Sequence, residues 1–128
     1  MGNGIALAWV ALGGAVGSVA RAGLSLLAIS WWGAAFPWGT LLINVAGSAT
    51  IGWFAVAGGA DGRFPATDNA RAFVMAGLCG GFTTFSAFSL QTLQLLQAGA
   101  LARAALYVGG SVLLCLMGTW LGMLAGRL

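Results

Sequence analysis

Four apolar runs, over residues 5–32, 39–57, 70–96 and 101–124, take up nearly all of this 128-residue chain. About 20 apolar residues cross the hydrocarbon core of a bilayer, so each run is long enough to span one. With 60% hydrophobic and only 5% charged residues, too little polar surface is left to clothe a soluble domain. The sequence therefore predicts an all-α membrane protein, a single domain of four transmembrane helices over residues 1–128. The first run lacks a basic start and is too long for a signal peptide, so it is read as helix one. Pro37 suits the first turn of helix two, and Trp31, Trp32 and Trp38 suit an interfacial aromatic belt. Residues 58–69 form a polar loop in which Thr67 or Asp68 can cap helix three. Only residues 97–100 separate the last two runs, which predicts a tight antiparallel hairpin.

Charge excludes several functions and informs topology. Five arginines face two aspartates, with no lysine, glutamate or histidine. This is a pattern of loop anchoring, not of nucleic-acid binding. Without histidine, paired carboxylates or a phosphate-binding Gly-Lys motif, no hydrolytic or nucleotide-driven chemistry is indicated, and the chain is not expected to be an enzyme. Cys79 and Cys115 lie in apolar runs, where thiols act as small hydrophobes and suggest neither a disulfide nor a metal site. With a cytoplasmic N-terminus, Arg63, Arg71 and Arg127 fall inside, while Arg103 falls outside and Arg21 lies in the outward half of helix one. So weak a positive-inside bias permits insertion in both orientations as readily as one fixed topology.

Glycines recur at four-residue spacing, at Gly13/Gly17, Gly77/Gly81 and Gly118/Gly122/Gly126, which lines small residues along helix faces. Each pair alone suits packing within the chain. Because four helices enclose little by themselves, some of these faces are expected to serve oligomerisation. Gly80-Gly81 is expected to loosen helix three, where freed carbonyls at the end of the first half would attract a cation.

Polar residues at membrane depth carry the functional signal. Asn44 stands mid-helix with Thr40 one turn before it; it serves either as an interhelical tie or as a lining group for a solute. Tyr107, Ser111 and Cys115 recur at i, i+4 and i+8 as a weakly polar stripe on helix four. Phe85 and Phe88 share a face of helix three, flanked by Thr84 and Gln91. Such phenylalanines are ordinarily core or lipid-facing residues. Here they stand among Thr83, Thr84, Ser86, Ser89 and Thr92, whose hydroxyls seek protein or water. The positive edge of an aromatic ring, with hydroxyl and amide donors beside it, can cradle a small anion without formal charge.

Three motifs together resemble the Fluc (CrcB) fluoride channels of microbes. They are Gly-Gly-Ala-Val-Gly-Ser-Val-Ala-Arg over residues 13–21, Gly-Thr-Leu-Leu-Ile-Asn-Val-Ala-Gly over 39–47, and Gly-Leu-Cys-Gly-Gly-Phe-Thr-Thr-Phe-Ser-Ala-Phe-Ser over 77–89. The resemblance implies an antiparallel, dual-topology homodimer in the cell (inner) membrane with two fluoride pathways and a break in helix three. It also implies a structural sodium ion held at the dimer centre by the backbone carbonyls of Gly80 and Thr83. It makes Phe85 and Phe88 the pore phenylalanines, Asn44 the pore amide and Arg21 a vestibule residue. Thr84, Thr40, Gln91, Tyr107 and Ser111 complete the fluoride pathway. Members commonly carry an acid where this chain has Gln91, and often serine where it has Cys115. A rival class, the small dual-topology multidrug transporters, needs a membrane-embedded carboxylate, whereas Asp61 and Asp68 both belong to the loop.

Overall fold

The computed structural model describes residues 2–128, and its membrane-depth segments are helical except at residues 83–84. Helix α1 is Gly2–Trp32 and α2 is Trp38–Ala57. The third span runs from Asp68 to Gln97 as α3 (Asp68–Arg71), a π-helical stretch (Ala72–Cys79), α4 (Gly80–Phe82) and α5 (Phe85–Gln97). Helix α6 is Leu101–Gly126. Four spans are long and apolar enough to cross a membrane, so the chain is a multi-pass membrane protein.

The helix ends follow local chemistry. Thr67 is the residue that caps the third span, its hydroxyl accepting from Ala70 N at 3.2 Å. Pro37 stands one position earlier than expected, at the N-cap of α2. Gly33 and Gly99 end α1 and α5 with φ of 73° and 76°, the left-handed turn that glycine adopts without a Cβ clash. At the opposite end of the bundle, Arg71 Nη1 donates to Gly58 O at 3.2 Å and ties the start of the third span to the end of α2.

Two glycine seams hold the spans together. Along the first, α1 lies against the π stretch and α4: a Cβ on Gly77 would stand 2.9 Å from Gly13 Cα, and one on Gly81 would stand 2.6 Å from Gly14 O. A Cβ on Gly17 would run into Leu78 O. Along the second, α6 lies against α2: a Cβ on Gly122 would collide with Ala49 O, and one on Gly126 would reach Trp53 O at 2.8 Å. Backbones this close gain van der Waals contact that larger residues would forbid. All seven glycines of the sequence repeats thus pack within the chain, which corrects the expectation that some of those faces serve oligomerisation.

Two further expectations are revised. The four-residue connection after α5 is short, but α6 packs mainly on α2 and only lightly on α5, so the last two spans do not form a tight hairpin. Nor do the paired glycines interrupt helix three. Gly80 has helical dihedrals (φ −63°, ψ −40°), and the chain leaves helical geometry at Thr83 (ψ 156°) and Thr84 (φ −151°, ψ 117°).

Gly17→Val is expected to destabilise the folded chain by about 1–3 kcal/mol, because backbone atoms on the facing span have nowhere to move. Gly80→Ala, where the nearest atom to an added Cβ is Met75 O at 3.9 Å, is expected to leave the fold of the single chain intact. Unfolding of both variants in detergent, followed by circular dichroism, measures the contrast.

Candidate anion pathway

Thr83 and Thr84 are the origin of the site. An extended pair inside a span removes helical hydrogen bonds, and lipid supplies no replacement. Asn44 of α2 provides it: its Oδ1 accepts from Thr84 N at 2.8 Å and its Nδ2 donates to Thr84 O at 3.1 Å. Since Thr84 N can only donate, the amide oxygen must face it, and the orientation of the Asn44 side chain is fixed. One Nδ2 hydrogen is left over. Asn44 is therefore an interhelical tie, one of the two alternatives its position left open.

Several other groups at the interruption find partners nearby. Gly81 O accepts from Arg21 Nε at 3.1 Å, with Ser18 Oγ at 3.5 Å, so α1 closes the other side of the interruption. Thr84 Oγ1 accepts from Ala87 N at 3.1 Å and caps α5. Thr83 Oγ1 and Thr92 Oγ1 donate back to the carbonyls of Cys79 (2.7 Å) and Phe88 (2.8 Å), which occupies two of the hydroxyls that made this stretch look polar.

Aromatic rings follow from the start of α5. Phe85 and Phe88 have centroids 5.4 Å apart, and Phe88 lies 5.2 Å from Tyr107 of α6. Tyr107 is wholly buried, edge-on to Phe36 at 5.6 Å, and its hydroxyl donates to Gln91 Oε1 at 2.7 Å. That bond uses the only hydroxyl proton of Tyr107 and leaves the Gln91 Nε2 hydrogens free. Phe85, by contrast, is 78% exposed on the outer side of the third span.

These residues border two spaces. A groove of about 470 Å³ runs between α2, the third span and α6, lined by Asn44, Gly80, Thr83, Phe85, Phe88 and Ser111 among others, none of them charged. Thr84 and Cys115 also line it. The Ser111 hydroxyl is buried there without a hydrogen-bond partner among the described residues. A second cavity of about 470 Å³ opens at the end of the bundle that carries Gly33 and Ala100, with Thr40 and Gln91 in its wall. The expected pathway residues thus divide between groove and end cavity, with Tyr107 joining the two through its contacts to Phe88 and Gln91. Arg21 lines neither space and acts on Gly81 O.

Sequence reasoning missed Phe36, Gln94 and Arg103. Phe36 stands in a loop, where ring packing has no periodic signal. Gln94 and Arg103 line the end cavity. The spacing Arg103 to Tyr107, i to i+4 along α6, places both on one helix face and is the signal that was available.

Residues 8–123 match the family model described as "CrcB-like protein, Camphor Resistance (CrcB)". The chain belongs to the CrcB family. Three relatives carry the name "Fluoride-specific ion channel FluC". That of Methylocella silvestris is 51% identical over 114 residues, covering 89% of this chain and 87% of its own. That of Paramagnetospirillum magneticum is 52% identical over 121 residues, covering 94% of each. That of Rhodospirillum rubrum is 54% identical over 114 residues, covering 89% of this chain and 88% of its own.

Asn44→Leu strands two backbone groups of Thr84 and is expected to destabilise the interruption by about 1–3 kcal/mol per unpaired group. Asn44→Asp keeps the acceptor for Thr84 N, while it exchanges the donor to Thr84 O for a carboxyl oxygen and adds the cost of an ionisable group at this depth. Amide hydrogen exchange at Thr84 reads the difference: fast in the Leu variant, slow in the Asp variant.

Proposed function

We propose that this protein is a fluoride-selective ion channel, passing fluoride out of the cell passively and without coupling. Relatives named fluoride-specific ion channels support the class. The observation that carries the reading to this chain is the uncharged groove in which the spare Asn44 hydrogen, the unpartnered Ser111 hydroxyl and the rings of Phe85 and Phe88 converge at membrane depth. The name those relatives carry is that of an ion channel and not of an enzyme.

Fluoride is small and strongly hydrated, so a pore must offer compact donors as water is removed. Asn44 and Ser111 supply hydrogens, and the edges of Phe85 and Phe88 supply positive potential. Each is weak alone. Neutral, separate sites hold an anion without trapping it, and larger halides fit the spacing less well. Tyr107 contributes its ring and fixes Gln91, having given its proton away.

The functional unit is an antiparallel dual-topology homodimer in the cell (inner) membrane, with one pathway on each side. The support is in what the single chain leaves open. Its repeat glycines are used internally, while Gly80 and Phe85 face outward beside a groove that lacks a wall. A second copy would supply that wall.

A structural sodium ion fits the same face. The Gly80 carbonyl loses its usual helical donor because Thr84 N turns to Asn44, and Gly80 and Thr83 both line the open groove. Main-chain oxygens are hard ligands suited to sodium without any carboxylate. Gly80 and Thr83 from both copies would hold the ion, whose role is to join the two interrupted spans.

Proteoliposomes containing only this protein are expected to release fluoride rapidly and retain chloride; equal chloride release, or dependence on a proton gradient, would overturn the channel reading. Phe85→Ile and Phe88→Ile each remove a ring contact of about 1–1.5 kcal/mol and are expected to slow fluoride flux roughly five- to tenfold while the dimer survives. Gly80→Val restricts the backbone at the proposed ion site and is expected to abolish sodium-dependent flux, whereas Thr83→Ser, which keeps the carbonyl, is expected to be mild.

A further inference from the structure

The end cavity has a charge that the groove lacks. Its walls come from α1 (Ser25, Ala28 and Ile29) and from the Gly33–Thr40 and Gln91–Arg103 stretches, and Arg103 is the one charged residue among them. Asp61 lies in the loop between α2 and α3 and Asp68 opens α3, both at the opposite end of the bundle. No carboxylate is near enough to neutralise it. Among the described residues only Arg21 and Arg71 donate arginine hydrogen bonds, so the Arg103 guanidinium is uncommitted. It sits in the first turn of α6, where the unpaired N–H groups of a 26-residue helix add to its positive potential.

The same wall carries amide donors. Gln94 lines the cavity beside Arg103, and Gln91 presents its Nε2 hydrogens because its oxygen is held by Tyr107. Beyond Gln91, Phe88 and Tyr107 lead to the groove. Size decides how an anion is held here. A space of about 470 Å³ accommodates on the order of fifteen waters at ~30 Å³ each. An anion in this cavity therefore keeps its hydration shell and is attracted by the field of Arg103, without being stripped and bound.

We infer that the cavity bounded by Arg103, Gln94 and Gln91 is an electrostatic collecting mouth, which raises the local concentration of hydrated small anions before they reach the dry groove. The inference rests on the channel reading above and adds a residue to it. Arg103 sets how often the pathway is loaded; the groove sets which anion passes. A guanidinium at this wide mouth differs from one inside the pore, because its attraction is screened by water and salt and does not delay release.

The test is fluoride flux from proteoliposomes holding the full-length protein, at low fluoride, with ionic strength raised by an impermeant salt. At about 10 mM ionic strength, Arg103→Gln is expected to lower flux about two- to threefold and Arg103→Glu further, from a single charge acting across several ångströms of water. Arg103→Lys keeps the charge and is expected to match the unmodified protein, which also shows that the position tolerates substitution. At about 1 M, where the screening length falls to ~3 Å, all four proteins are expected to converge. Chloride stays excluded throughout. Equal flux of the Gln variant and the unmodified protein at low ionic strength would overturn the inference, as would a loss that high salt does not remove or a Lys variant as slow as the Gln variant. Those results leave the channel reading standing. Absence of fluoride flux from the unmodified protein at every ionic strength overturns the channel reading, and the inference with it.

Discussion

The two hydrogen bonds between the Asn44 side chain and the Thr84 backbone are what the rest of this architecture depends on. A span that leaves helical geometry in a bilayer exposes groups that lipid cannot satisfy. Here the donor at Thr84 and the acceptor at Thr84 are both met by one amide on α2. On the other side, Gly81 O is met by Arg21 of α1. An arginine at that depth is costly unless its charge has a partner, and the freed carbonyl is that partner. The interruption and the arginine thus stabilise each other.

From that constraint the position of the groove follows. The glycine seams draw α1 onto the first half of the third span and α6 onto α2, because backbones approach closely only where no Cβ intervenes. Past Thr84 the third span continues as α5, which has no such seam and touches α6 only lightly. A gap opens where the seams end. Its lining is the third span on both sides of the interruption, one face of α6 and the Asn44 face of α2, which brings Phe85, Phe88, Ser111 and Asn44 to one space from three separate spans.

How much of this was legible depended on whether the signal was local. Span lengths and hydropathy put four helices within a few residues of their observed ends, and Thr67 was one of two residues read as a cap. The resemblance over residues 13–21, 39–47 and 77–89 picked out the residues that converge at the interruption. The place of the interruption was not legible, because Gly80 and Gly81 are permissive of bending but compatible with helix, and what decides is an acceptor forty positions away at Asn44. Glycine spacing likewise reports close approach and not the identity of the neighbour. The Tyr107–Gln91 bond joins residues sixteen apart on two spans, a register that the connecting turn determines and periodicity does not.

The hydrogen bonds already made also bear on how an ion would move. Tyr107 has given its proton to Gln91, the Thr83 hydroxyl is turned to Cys79 O, and Asn44 keeps one hydrogen of its amide. In the proposed channel, the donors left for an anion include the two Gln91 Nε2 hydrogens, the spare Asn44 hydrogen and the Ser111 hydroxyl. Asn44 and Gln91 are held in place by their other bonds and need no reorganisation to receive an ion. In the proposed channel, selectivity by a sparse set of neutral donors would require that the partner fit them without its water, which a compact anion does best. The structural bonds that keep an interrupted helix in the membrane and the shortage of donors along the groove therefore have one origin, since the backbone has claimed most of the polar groups first.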